Sequence, residues 1–134
     1  MNHTEKLELL ANALISEVVP LVSEFQSEEA FNAVFKAKVK DCTGLFVSAI
    51  KDRFTDSLAG KKGFDIIKVT VKHMRFFNQL KKELPELIED AANLALDVAE
   101  RKSISELQAM GLNRMTLDGA ITAIVQDEML EAGL

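Results

Sequence analysis

The chain has 134 residues, a formal net charge of −5, 48 % apolar residues and 28 % charged ones. That length suits one domain, and that balance excludes an intrinsically disordered chain. Only six Gly and two Pro, with Ala, Leu, Glu and Lys abundant, favour helix, because such side chains lose little rotamer freedom in one.

A first helix is expected after Thr4, since Leu7, Leu10, Ala11, Leu14, Val18, Leu21, Val22 and Phe25 recur at spacings of three and four. Pro20 falls inside that pattern and predicts a kink or a break. Ser27 reads as the N-cap of a second helix, with Glu28 and Glu29 in a first turn where the helix dipole favours anions. Its apolar stripe, Phe31, Val34, Phe35, Val39, Cys42, Leu45 and Phe46, drifts after Gly44 to Val47, Ile50, Phe54 and Leu58. Either a bend at Gly44 or a far end packed elsewhere fits the drift. The "GKKG" of Gly60 to Gly63 then ends the helix.

The stretch "KVTVKHMRFFNQLKK" from Lys68 to Lys82 opens with strand-like alternation. No second alternating segment is present to pair with it, and an isolated strand leaves backbone groups unpaired. A helix from about Asp65 to Leu84 is the reading. Lys68, Lys72, Arg75, Gln79 and Lys82 then share about a quarter of the wheel, while Ile66, Val69, Met74, Phe76, Phe77, Leu80 and Leu84 fill most of the rest. So wide an apolar arc predicts a central position in the fold. Pro85 suits the first turn of a following helix, running to about Lys102, although one kinked rod is equally compatible. Leu87, Ile88, Ala91, Leu94, Ala95 and Val98 would face inward. Ser103 and Glu106 have capping-box spacing and begin a short helix that Gly111 ends. Thr116 caps the last helix, with Leu117, Ala120, Ile121, Ile124 and Val125 inward. The expected fold is all-α: a single domain over residues 1–134, built as a bundle of five to six helices with a short C-terminal helical hairpin.

Charge is unevenly distributed. Residues 1–35 hold one Lys against six acids, a net of −5. Residues 36–82 hold twelve Lys or Arg against four acids, a net of +8, and residues 83–134 hold three against eleven, a net of −8. Such asymmetry points to polyanion binding or to partner selection. The candidate basic face is Lys61, Lys62, Lys68, Lys72, Arg75 and Lys82, and the candidate acidic face is Glu86, Glu89, Asp90, Asp97 and Glu100. In one reading the basic face, joined by Lys36 and Lys40, tracks phosphates. In another the two faces register a protein partner or a second copy of the chain. In the plainest, both are solvated helix faces exchanging weak surface pairs. Negative overall charge and the absence of exposed aromatics for base stacking count against nucleic acid. A non-catalytic regulatory or adaptor protein is therefore the expectation, with a nucleic-acid-binding accessory protein using residues 36–82 as the alternative. The drifting stripe after Gly44 adds an expectation of a homodimer. A ligand-carrying bundle with Phe-lined pocket is a third option.

Motifs for chemistry are few. The tail "SISELQAMGLNRMTLDGAITAIV" has a helix-turn-helix outline, but Asp118, Asp127, Glu128 and Glu131 occupy the would-be recognition helix, so a structural hairpin is the better reading. His73 lies among Val69, Phe76, Phe77 and Leu80 as a packing residue, and Cys42 sits on an apolar stripe as an inert thiol. HExxH, ExxH and CxxC spacings do not occur, and the Lys61–Lys62 loop lacks the spacing, hydroxyl residue and preceding strand of a phosphate-binding loop. No catalytic residue, metal or cofactor is expected. With one cysteine, no basic segment ahead of the first apolar run and no apolar run near the ~20 residues of a membrane span, a cytoplasmic protein without membrane contact is the expectation.

Overall fold

A computed structural model describes residues 1–22, 28–102, 106 and 116–134, and all of its regular structure is helical. Four helices account for it: α1 (His3–Val22), α2 (Glu28–Leu58), α3 (Phe64–Arg101) and α4 (Leu117–Glu131). The all-α class is as expected. The count of five to six is corrected to four among the described residues, because the separate helix expected from Pro85 is continuous with the helix before it. α2 continues through Gly44, since one helical glycine costs only about 1 kcal/mol. α3 continues through Pro85, an exposed position where the hydrogen bond proline forgoes leaves a carbonyl that water can hydrate. The expected Ser27 cap and the short helix from Ser103 to Gly111 lie outside the described residues, apart from Glu106.

The helix ends follow from local chemistry. Asn2 Oδ1 accepts from the Glu5 amide at 2.8 Å, so α1 starts ahead of the expected Thr4 boundary. It also runs through Pro20, so of the kink or break expected there the break does not occur. Between α2 and α3 the backbone turns twice through left-handed glycine, at Gly60 (φ 75°) and Gly63 (φ 60°), a conformation other residues adopt at a cost. Thr116 caps α4 as expected, its side chain accepting from Gly119 N at 3.0 Å. Glu17 of α1 adds a second cap from a distance: Oε2 accepts from Leu117 N at 3.2 Å, while Oε1 lies 3.9 Å from Lys38 Nζ of α2. One carboxylate thus ties three helices together where α4 begins.

α1 packs against all three other helices, α2 against α3 and α4 as well. Leu10, Leu14 and Val18 of α1, Cys42 and Phe46 of α2, and Leu117, Ile121, Ile124 and Val125 of α4 are almost completely buried and centre the core. At the other end of α4, the buried Lys6 ammonium meets Glu128, lies 3.6 Å from Asp127 Oδ2 and 3.8 Å from Glu131 Oε2. Desolvation pulls the Lys6 pKa down, but Glu128, Glu131 and Asp127 together outweigh it and hold it above the ordinary value.

α2 and α3 are longer than this core. At 31 and 38 residues they span roughly 46 and 57 Å, against about 30 Å for the 20-residue α1. Burial on α3 therefore runs only from His73 to Ala95. Lys51–Leu58 of α2 and Phe64–Lys72 of α3 contain no buried side chain. The end of α4 still reaches α2 at Arg53, Asp56 and Ser57, which share a depression with Met129, Leu130 and Leu134, and beyond that contact the hairpin extends as a two-helix arm. The expected central position of the whole Asp65–Leu84 segment is corrected accordingly: α1 and α4 are too short to cover its beginning.

Candidate protein-binding surface on α3

The cations expected to share a face do so. Lys61 and Lys62 stand on the loop at the arm's tip, Lys68 and Lys72 on the arm, and Arg75 and Lys82 further along α3; all six are exposed. Among the described residues none of them lies within ion-pairing distance of a carboxylate, and the ion pairs that do form belong to the Met1 amine, Lys6 and Lys38. Past Pro85 the sign reverses on the same outer side of the same helix. Glu86, Glu89, Asp97 and Glu100 are exposed and Asp90 is half-buried, again without an ion pair to a described residue. One continuous helix carries both rows, so their separation along its axis is fixed at 1.5 Å per residue.

An apolar feature accompanies the cations, and of its residues the sequence reading placed Ile66 and Met74 in the wide apolar arc. Phe64, Ile66, Ile67, Val71 and Met74 are all exposed, Phe64 to 77 % and Met74 to 59 %. Phe64, Ile67, Val71 and Met74 recur at spacings of three, four and three, which draws them into one ribbon along the helix. By the same periodicity Lys68, Lys72 and Arg75 border one edge of that ribbon, and the buried side, His73, Phe76 and Leu80, lies opposite. Beside the ribbon, α2 and α3 part to form a depression of about 290 Å³, lined by Ile50, Phe54, His73, Met74 and Phe77 with Lys51 at its rim. The expected wide apolar arc is therefore two arcs, one buried and one presented to solvent.

Two side chains with reactive chemistry are packed away. His73 is buried, its ring 5.1 Å from that of Phe54, and its Nδ1 has no hydrogen-bond partner among the described residues. Burial lowers its pKa, so the ring is neutral at pH 7. Cys42 is fully buried and its Sγ donates to the Lys38 carbonyl at 3.4 Å. Burial first, then Asp41 and Glu17, push the thiol up to about 11, leaving almost no thiolate at neutral pH. No group of three His, Cys, Asp or Glu side chains converges to hold a metal among the described residues. No described helix is long and apolar enough to cross a membrane.

Compared with protein-family models, curated proteins and solved structures, the chain matches none.

Proposed function

We propose that this protein is a non-catalytic regulatory or adaptor protein that recognises another protein through the outer side of α3. The observation that carries this reading is the pair of oppositely charged rows on one continuous helix, neither compensated by ion pairs to described residues. Charges so placed contribute little to folding, because exposed ions remain hydrated. They do steer a partner of complementary pattern and fix its register along the helix.

The test is affinity capture with the full chain, comparing the native sequence with Lys68→Glu/Lys72→Glu and with Glu89→Lys/Asp97→Lys. The expected result is a protein retained by the native chain after nuclease treatment and lost with either charge reversal. Retention that ignores both reversals contradicts the proposal. The nucleic-acid alternative is tested in parallel by electrophoretic mobility shift. A retarded complex at low salt, weakening steeply towards physiological salt and absent with Lys68→Glu/Lys72→Glu, would replace the protein reading with that one.

A further inference from the structure

We infer that the arm formed by the end of α2 and the start of α3 is a docking groove for an amphipathic helix whose apolar stripe is flanked by carboxylates. This inference rests on the reading of α3 as a protein-binding surface and names the chemistry of what binds there.

The surface has the parts such a ligand needs. A single helix packs onto another through apolar residues spaced three and four apart, and Phe64, Ile67, Val71 and Met74 present that spacing uncovered. Five exposed large apolar side chains within eleven residues exceed the isolated apolar residues ordinary on a soluble surface. The ribbon is not flat. Its far end opens into the depression between Phe54, Met74 and Phe77, which accepts a projecting side chain where a planar lipid surface would bridge over it. Lys68, Lys72 and Arg75 line one side, and Lys51 stands across the groove on α2. A helix seated there has its flanking positions opposite cations on both sides, and carboxylates are the side chains that suit them.

A second copy of this chain is the obvious competitor, and its chemistry fits poorly. Arm against arm would set Lys68, Lys72 and Arg75 beside their own counterparts, with Asp65 the only acid among residues 64–82 and the exposed Asp52 and Asp56 of α2 offset by Lys51 and Arg53 of the same stretch. The acidic part of α3 carries suitable charge, but none of the exposed large apolar side chains falls between Glu86 and Arg101, so it has nothing to lay on the ribbon. The ligand must bring both features on one helix.

The experiment uses the full chain and a fluorescein-labelled designed peptide of about 21 residues, three heptads long, with Leu at the two seam positions and Glu at the flanking ones. Fluorescence anisotropy is expected to show saturable binding with a dissociation constant of about 10–100 micromolar or tighter. Val71→Asp/Met74→Asp is expected to weaken it at least about ten-fold, as is Lys68→Glu/Lys72→Glu. The same peptide with Lys in place of Glu is expected not to bind. All four substituted side chains are exposed, and a circular dichroism spectrum and melting curve matching the native chain confirm that each variant folds. Absence of binding by the Glu peptide, equal binding of the Lys peptide, or indifference to Val71→Asp/Met74→Asp would each overturn the inference. So would co-sedimentation of the chain with phosphatidylserine vesicles when the peptide fails to bind, or saturation of the arm by self-association. In the capture experiment above, a partner lost with Lys68→Glu/Lys72→Glu but kept with Val71→Asp/Met74→Asp overturns the groove and leaves the charged-face reading standing. A partner kept with both removes the two together.

Discussion

α3 is one uninterrupted helix with two different surroundings. From His73 to Ala95 its inner side is covered by α1 and α2, and His73, Phe76, Leu80, Leu84, Leu87, Ile88, Ala91, Ala92 and Ala95 are buried. From Phe64 to Lys72 no side chain is buried, although Phe64, Ile66, Ile67 and Val71 are as apolar as anything in the core. Composition therefore does not decide burial here. Length does: α3 outruns α1 by 18 residues, about 27 Å of helix, and what lies past the end of α1 and α4 can be covered only by α2 or by another molecule. The contrast also separates what each part is for. The bundle half stabilises the fold, while the arm holds apolar surface that contributes nothing to folding as long as it stays wet.

Paired truncations give the largest effect with which to break that contrast. Phe46→Ala, inside the core at 0 % exposure, is expected to cost about 4 kcal/mol in urea unfolding. Phe64→Ala, on the arm at 77 % exposure, is expected to change stability by no more than about 0.5 kcal/mol. Comparable losses at the two positions would mean that the arm is covered in the free protein. Next in size is Lys6→Ala. Removing the buried cation leaves Asp127, Glu128 and Glu131 facing one another, and a loss of about 2 kcal/mol is expected, smaller than for a fully buried pair because those carboxylates are partly hydrated.

A smaller effect sharpens the boundary between the halves, which falls at His73. Its pKa is lowered by burial in the folded protein, so above the unfolded-state value of about 6.5 both states are neutral and the ring contributes no pH dependence. As pH falls below that value the unfolded state takes up the proton first, and stability declines until the folded-state value is passed. Unfolding free energies measured between pH 7.5 and pH 5 are expected to fall for the native chain. His73→Phe is expected to flatten that segment of the profile. Asp127, whose pKa the Met1 amine and Lys6 lower, produces its own decline only at more acid pH, below about 4. A native profile flat between pH 7.5 and 5 would place His73 in water.

Much of the fold was legible because it rests on short-range rules. Spacing of three and four marked the inward faces of α1 and α4, Thr116 announced its cap, and the glycines around Lys61 and Lys62 ended α2. The helical reading of Lys68–Lys82 over the strand-like one holds. Pro85 left two readings open, because proline signals both a helix start and a tolerated kink, and the helix runs on through it. The cationic row was visible by the same periodicity, and the structure leaves all six residues exposed. The ribbon from Phe64 to Met74 was not, for a reason outside local sequence. Whether an apolar residue is buried depends on how far neighbouring helices extend, and a wheel carries no information about the length of α1. A similar limit applies to Glu17, whose cap on Leu117 N joins residues 100 positions apart.

Solvent paramagnetic relaxation of methyl groups in the free protein, using an inert gadolinium chelate, tests the arm most directly. Methyls of Ile67, Val71 and Met74 are expected to relax strongly and those of Leu80, Leu84 and Ile88, on the same helix, weakly. Equal protection of the two sets in a monomeric sample would show that the ribbon is already covered, and the proposed groove would have no vacancy to offer.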